Sequence, residues 1–156
     1  MLVNHPPEAL AQFPTVIRLP VQWGDQDAFG HANNTVFFRW FESARIAYLE
    51  RIGLGEKHAG KASLGIDLGP ILAAISCNYR KQIKYPDTVL VGARVARIGR
   101  SSLSMQHMVW SEAHQAVAAD GESTVVVFDY VANVPRRVPD ELRSLIEKLE
   151  GPNLVQ

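Results

Sequence analysis

The chain is poor in cysteine, in net charge and in long apolar runs. Its one cysteine, Cys77, rules out an intrachain disulfide framework and a multi-cysteine zinc site. That fits a reducing compartment. The 16 basic and 16 acidic side chains cancel, so no large basic excess draws the protein to nucleic acid or anionic lipid. No stretch reaches the roughly 18 apolar residues of a membrane span. The opening residues, MLVNHPPEALAQFP, lack the basic and apolar blocks of a signal peptide. Together these absences predict a soluble cytoplasmic protein with no nucleic-acid and no membrane partner. Several chemical signatures are missing too: there is no GxSxG elbow, no GxxxxGK(S/T) loop and no GxGxxG. The histidines (His5, His31, His58, His107 and His114) are scattered and show no HExxH spacing, so neither a metal nor a cofactor is expected.

What is present is a globular composition, 47% hydrophobic against 21% charged, in 156 residues. One domain over 1–156 is expected. Residues 1–13 hold two prolines and little periodicity and read as a loose arm. TVIRLPVQW alternates with a period of two and predicts a strand; Pro20 cannot donate to a ladder and puts that strand at an edge or an irregularity. TVFFRWFESARIAYLERI has helical periodicity, with Phe37, Trp40, Phe41, Ala44 and Tyr48 on one face. Asn33 or Asn34 is a natural N-cap, and Gly53 a plausible stop. Residues 53–70 read as loop. Four strand patterns follow: ILAAISCNYRKQIKY, TVLVGARVARI, SSLSMQHMVWSE and AVAADGESTVVVFDYV, the last with Gly121 as a bulge or turn. VPDELRSLIEKLEG predicts a C-terminal helix over about 138–150. Long neighbouring strands with short turns imply an antiparallel sheet around one helix, an α+β arrangement. The sheet's other face is left open, which predicts at least a dimer.

The chemistry concentrates in GDQDAFGHANN, residues 24–34, immediately before the apolar helix. A turn followed by a cap would account for part of it. The loop holds more polar groups than one turn and one cap require. It also places Asp27 within seven residues of a helix N-terminus, whose unpaired N–H groups suit a developing oxyanion. A carboxylate facing such donors can serve as base or nucleophile on a carbonyl compound. Cys77, within a strand pattern, reads as a small sheet or core residue, and His107 and His114 as packed or solvated.

Trp23, the D-x-D-x-x-G of Asp25 to Gly30, HANN at 31–34 and the aromatic helix start VFFRWFESAR together resemble the 4-hydroxybenzoyl-CoA thioesterase type of hotdog-fold acyl-CoA thioesterase. The similarity extends through SCNYRKQIKYPDTVLVGARVARIGRSSLSMQ and covers roughly residues 15–137. It implies a hotdog fold, hydrolysis of an acyl-CoA thioester and a homodimer or homotetramer. By position it puts the catalytic carboxylate on Asp27, a backbone donor at Asn34 and a phosphate contact at Arg100. His31 is expected to orient the carbonyl or the water, or to brace the loop. Phe37 and Phe38 are expected along the acyl chain. Arg80, with Lys81 or Arg136, is a further candidate for CoA phosphates, which a guanidinium fork suits. HxNN replaces the more aromatic segment of the 4-hydroxybenzoyl enzyme, so its aromatic substrate is not carried over. A hotdog hydratase or dehydratase, or a non-catalytic acyl-CoA-binding protein, is the alternative.

Overall fold

The computed structural model describes residues 1–54 and 68–155. Strands β1 (Thr15–Pro20), β2 (Leu68–Tyr79), β3 (Thr88–Ile98), β4 (Ser102–Ser111) and β5 (Ala116–Asp129) form one antiparallel sheet. Their order is β1-β3-β4-β5-β2, and a short β6 (Val134–Pro135) folds back on β5. Helix α1 (Asn34–Arg51) lies in the hollow of the sheet, and α2 (Asp140–Glu150) packs into the same core. This is the hotdog fold. Pro20 closes β1 at the sheet edge, where its missing N–H leaves no ladder bond unmade.

Periodicity explains α1. Phe37, Trp40, Phe41, Ala44 and Tyr48 are all buried against the inward residues of β3, β4 and β5, including Val91, Val95, Met105 and Val125. Asn33 is the N-cap: its Oδ1 accepts from Thr35 N–H and from the Thr35 hydroxyl, both at 3.0 Å. Gly53, at φ 77°, takes the left-handed turn after the helix, and the Leu54 N–H returns to the Leu49 carbonyl at 2.9 Å.

Four expectations need correction. Residues 1–13 are not a loose arm. Val3 N–H bonds to the Val16 carbonyl at 2.8 Å, and Glu8–Leu10 form a 3-10 turn. Leu10 and Phe13 bury themselves with Val16, Leu90 and Trp110 on the outer face. A Cβ on Gly92 would lie 2.6 Å from the Phe13 ring, so that glycine makes the room. The outer face is therefore partly covered, which weakens the argument that its exposure demands a partner. Gly121 is neither turn nor bulge: it pairs in register with Cys77 and His107. A Cβ there would lie 2.1 Å from the Ser76 carbonyl oxygen and 2.7 Å from the Phe41 ring, so its bareness lets α1 approach the sheet. The strand read as ending at Tyr85 ends at Tyr79; the Arg80 and Lys81 N–H groups turn away to the Ala118 carbonyl. Leu68–Pro70, read as loop, belong to β2, while 55–67 lie outside the described residues.

Charged groups lock the ends. Glu150 accepts at Oε1 from the Tyr48 hydroxyl and the Val95 N–H, both at 2.7 Å, joining α2 to α1 and β3. Buried Arg94 donates to Gln12 Oε1 at 3.1 Å and to the Asn153 carbonyl at 2.7 Å, so it ties the N-terminal segment to the C-terminal one.

Candidate active site

The loop before α1 is a miniature hairpin. Gln26 and Ala32 form an antiparallel bridge, and Asp27 N–H donates to the His31 carbonyl at 2.8 Å. Gly30, at φ 80°, makes the tip possible and donates back to the Asp27 carbonyl at 3.1 Å. Asp25 is engaged by the turn itself, because its Oδ2 accepts from Gln22 N–H at 2.8 Å. Asp27 is engaged only in part. Its Oδ1 accepts from Phe29 N–H at 2.8 Å, and among the described residues Oδ2 receives no hydrogen bond.

The segment after β2 clamps this hairpin. Ala32 N–H donates to the Ile83 carbonyl at 2.7 Å, and Tyr85 N–H to Gln26 Oε1 at 3.3 Å. Between the two segments lies a cavity of about 310 Å³. Asp27, His31, Asn34, Arg80, Lys81 and Gln82 form its polar lining, and Ala32, Phe37, Tyr79 and Ile83 its apolar part. Ala32, Phe37 and Ile83 are buried, so the floor is apolar and fixed. The Phe37 ring is held by Trp40 at 4.9 Å and by the edge of Tyr79 at 5.1 Å. Asn34 is the first residue of α1. The N–H groups of Thr35 and Val36 are used by the cap residue Asn33, whereas Asn34 N–H has no acceptor among the described residues. An unpaired first-turn N–H at the positive end of a helix is a ready oxyanion donor.

The cavity thus gathers Asp27, His31, Asn34, Phe37 and Arg80 from the sequence-derived set. Phe38 stands outside it, half-buried on the helix flank and edge-on to Phe41. Arg100 is in the β3–β4 turn, one β3 length away from the cavity: eleven residues, or about 36 Å of strand. Arg80 is engaged by the Asp120 carboxylate at 2.8 and 3.2 Å, which holds that carboxyl below its ordinary range. Lys81 forms no ion pair among the described residues. Sequence reasoning missed Tyr79 and Ile83, because only tertiary contact brings the end of β2 to the loop.

Two other reactive-looking groups are inert. His107 Nε2 sits 2.8 Å from Ser123 Oγ, the spacing of a base and its nucleophile. Both are buried, and the ring is stacked on Phe41 at 5.0 Å. Burial first, and then the Arg45 cation, push His107 down to about 3, so the ring is uncharged near neutrality. Burial pushes the Cys77 thiol up to about 11, which keeps it from being a thiolate nucleophile. Among the described residues no group of three His, Cys, Asp or Glu side chains is placed to hold a metal ion. No described helix is long and apolar enough to cross a membrane.

A family model described as the thioesterase-like superfamily matches residues 21–146. The chain belongs to the thioesterase-like superfamily. The matched span takes in the whole hairpin, α1 and strands β2 to β5. A Thermus thermophilus thioesterase, crystallised in complex with coenzyme A and Zn, is similar at 32% identity and a TM-score of 0.78, over 92% of this chain and 99% of that one. The PA5185 protein of Pseudomonas aeruginosa strain PAO1 is similar at 27% identity and a TM-score of 0.76, over 92% and 96%. A DHNA-CoA thioesterase from Staphylococcus aureus shares the fold, with 20% identity, a TM-score of 0.74 and coverage of 90% and 95%.

Proposed function

We propose that this superfamily member hydrolyses an acyl-CoA thioester to a carboxylic acid and free CoA, in the manner of the 4-hydroxybenzoyl-CoA thioesterase type but without its aromatic substrate. One observation carries the reading: the open Oδ2 of Asp27 and the unpaired N–H of Asn34 belong to groups lining the same cavity. The thioester carbonyl accepts from Asn34 N–H. Asp27 takes a proton from water as the water oxygen adds to the carbonyl carbon, or its carboxylate adds directly. The negative charge that gathers on the carbonyl oxygen falls at the helix N-terminus, where it is stabilised most. When the tetrahedral centre collapses the C–S bond breaks, and the CoA thiolate leaves and takes up a proton. In the direct route water then hydrolyses the resulting anhydride. His31, on the same cavity, orients the carbonyl or the water.

The acyl group lies against Phe37, with Phe38 beyond it on the helix flank, and the CoA phosphates meet basic side chains. Arg80 and Lys81 are at the cavity itself. Arg100 is too far along β3 to serve the same chain's cavity, so its contact comes from a second copy in a homodimer or homotetramer. The similar Thermus protein crystallised with CoA supports a CoA thioester as the ligand.

A panel of short, long, branched and aromatic acyl-CoA thioesters, read by release of free thiol, tests the reading. Thiol release at catalytic rates supports it. The shared cavity of Asp27 and His31 also suits a hydratase; product formation from an enoyl-CoA without thiol release favours that instead. Tight binding with no turnover of either kind favours a non-catalytic acyl-CoA binder.

A further inference from the structure

Tyr79 is the last residue of the edge strand β2, and its side chain crosses to the helix. Its hydroxyl donates to the Asn34 carbonyl at 3.0 Å, and its ring meets Phe37 edge-on at 5.1 Å. Two anchors on α1 therefore hold a side chain that itself remains 47% exposed. The other apolar groups of the cavity are buried floor; Tyr79 alone of them stands up as a wall.

The residues behind that wall are apolar. Side chains on one face of a strand recur every second residue. Toward the start of β2, on the Tyr79 face, come Cys77 and Ile75, both half-buried against the core. Phe38, also half-buried, flanks the same core from α1. Apolar packing between helix and edge strand thus continues past the cavity, and the Tyr79 ring stands where it begins. The cavity in front is small, about 310 Å³, at the low end of the roughly 300–1,000 Å³ usual for small-molecule sites.

We propose that Tyr79 is the specificity-determining residue of the site, a bar between β2 and α1 that stops the acyl group at the Phe37–Tyr79 pair and so restricts the enzyme to short acyl chains. This rests on the acyl-CoA reading above. A chain that fits in front of the ring gains from each buried methylene. A longer one must either leave its end in water or displace a side chain fastened by a hydrogen bond and a ring contact.

S-alkyl-CoA thioethers from ethyl to dodecyl have no carbonyl to hydrolyse, so their affinity reports the acyl site without turnover. Calorimetry on the wild-type protein should show affinity rising about fourfold per methylene and then levelling at a short chain. Tyr79→Ala and Tyr79→Leu should carry the rise on by about two methylenes, a gain of roughly fifteenfold on the longer probes. Tyr79→Leu keeps an apolar side chain on the strand in case the alanine variant fails to fold. Tyr79→Phe keeps the ring and should level where the wild type does. A purely structural tyrosine would lower affinity by the same factor at every length. Such parallel curves, or a wild-type rise that runs unbroken to dodecyl, would overturn the proposal. If the wild type binds no thioether, the acyl-CoA reading itself fails and the proposal falls with it.

Discussion

The main-chain N–H of Asn33 donates to the carbonyl of Asp25 at 2.9 Å, closing the ends of the hairpin before α1 on each other. Asp27 sits inside that closed loop, and the next residue after Asn33 starts the helix. The carboxylate and the helix N-terminus are thus placed relative to one another by one short, hydrogen-bonded piece of chain.

The first prediction follows from the open carboxylate oxygen. Asp27→Asn keeps the side-chain shape and the Phe29 N–H acceptor but removes the charge. Loss of a general base should lower kcat by about 10²- to 10⁴-fold. Circular dichroism and thermal melting should show an unchanged fold. A folded variant that retains most of its thiol-releasing rate would falsify the assignment of Asp27.

Stability and catalysis separate at the two asparagines. The sequence allows either as the cap, and the structure gives the role to Asn33. Asn33→Ala should therefore cost about 0.5–2 kcal/mol, or a few degrees in Tm. Asn34→Ala leaves the backbone N–H in place and should change both Tm and kcat little. A larger loss of Tm for Asn34→Ala than for Asn33→Ala would reverse the cap assignment.

Much of this architecture is legible in the sequence because it repeats along the chain. The spacing of Phe37, Trp40, Phe41, Ala44 and Tyr48 fixes the buried stripe of α1, and alternation marks the strands. The N-terminal segment escapes such reading. Leu10 and Phe13 have no periodic neighbours, and the Phe13 ring packs over the bare Gly92, some eighty residues later. Arg45 and His107 escape it for the opposite reason: polar side chains are expected in water, yet both are buried between α1 and the sheet. In the site, Asp27, His31 and Asn34 are close in sequence and therefore visible. Tyr79 and Ile83 arrive through the Ala32–Ile83 and Asn34–Tyr79 hydrogen bonds, which no local pattern announces.

His107 predicts a pH dependence. Its folded value is depressed from the ordinary 6.5 to about 3 by burial, with Arg45 adding to the effect. The folded protein keeps the ring neutral, while the unfolded chain takes up a proton as pH falls below 6.5. The stability from this group is thus complete above 6.5 and is lost as pH falls toward 3. One proton corresponds to a slope of about 1.4 kcal/mol per pH unit. Urea midpoints measured at intervals between neutral and acid pH should show that slope in the wild type. A double variant, His107→Phe with Ser123→Ala, keeps an aromatic ring on Phe41 and leaves no orphaned hydroxyl; its slope should be shallower by one proton. Equal slopes would mean that His107 is not held neutral by the fold.

The distance between Arg100 and the cavity makes a prediction about assembly. Arg100→Ala should raise KM for a CoA thioester with little change in kcat, and a truncated pantetheine thioester should erase the difference. Because β3 separates the two within one chain, a CoA contact at Arg100 requires a second copy. Mixing subunits tests this directly. In a dimer of an Asp27→Asn subunit with an Arg100→Ala subunit, action across subunits leaves one site with both damaged residues and one site with neither. Action within a subunit leaves two damaged sites. Unfolding and refolding the two variants together should therefore restore a low-KM activity that neither parent shows. Size-exclusion chromatography with light scattering should give a mass at least twice 17.3 kDa for the wild type. A monomer at micromolar concentration, or mixed subunits with no recovered low-KM component, would place Arg100 outside the CoA site and leave Arg80 and Lys81 as the cations at the cavity.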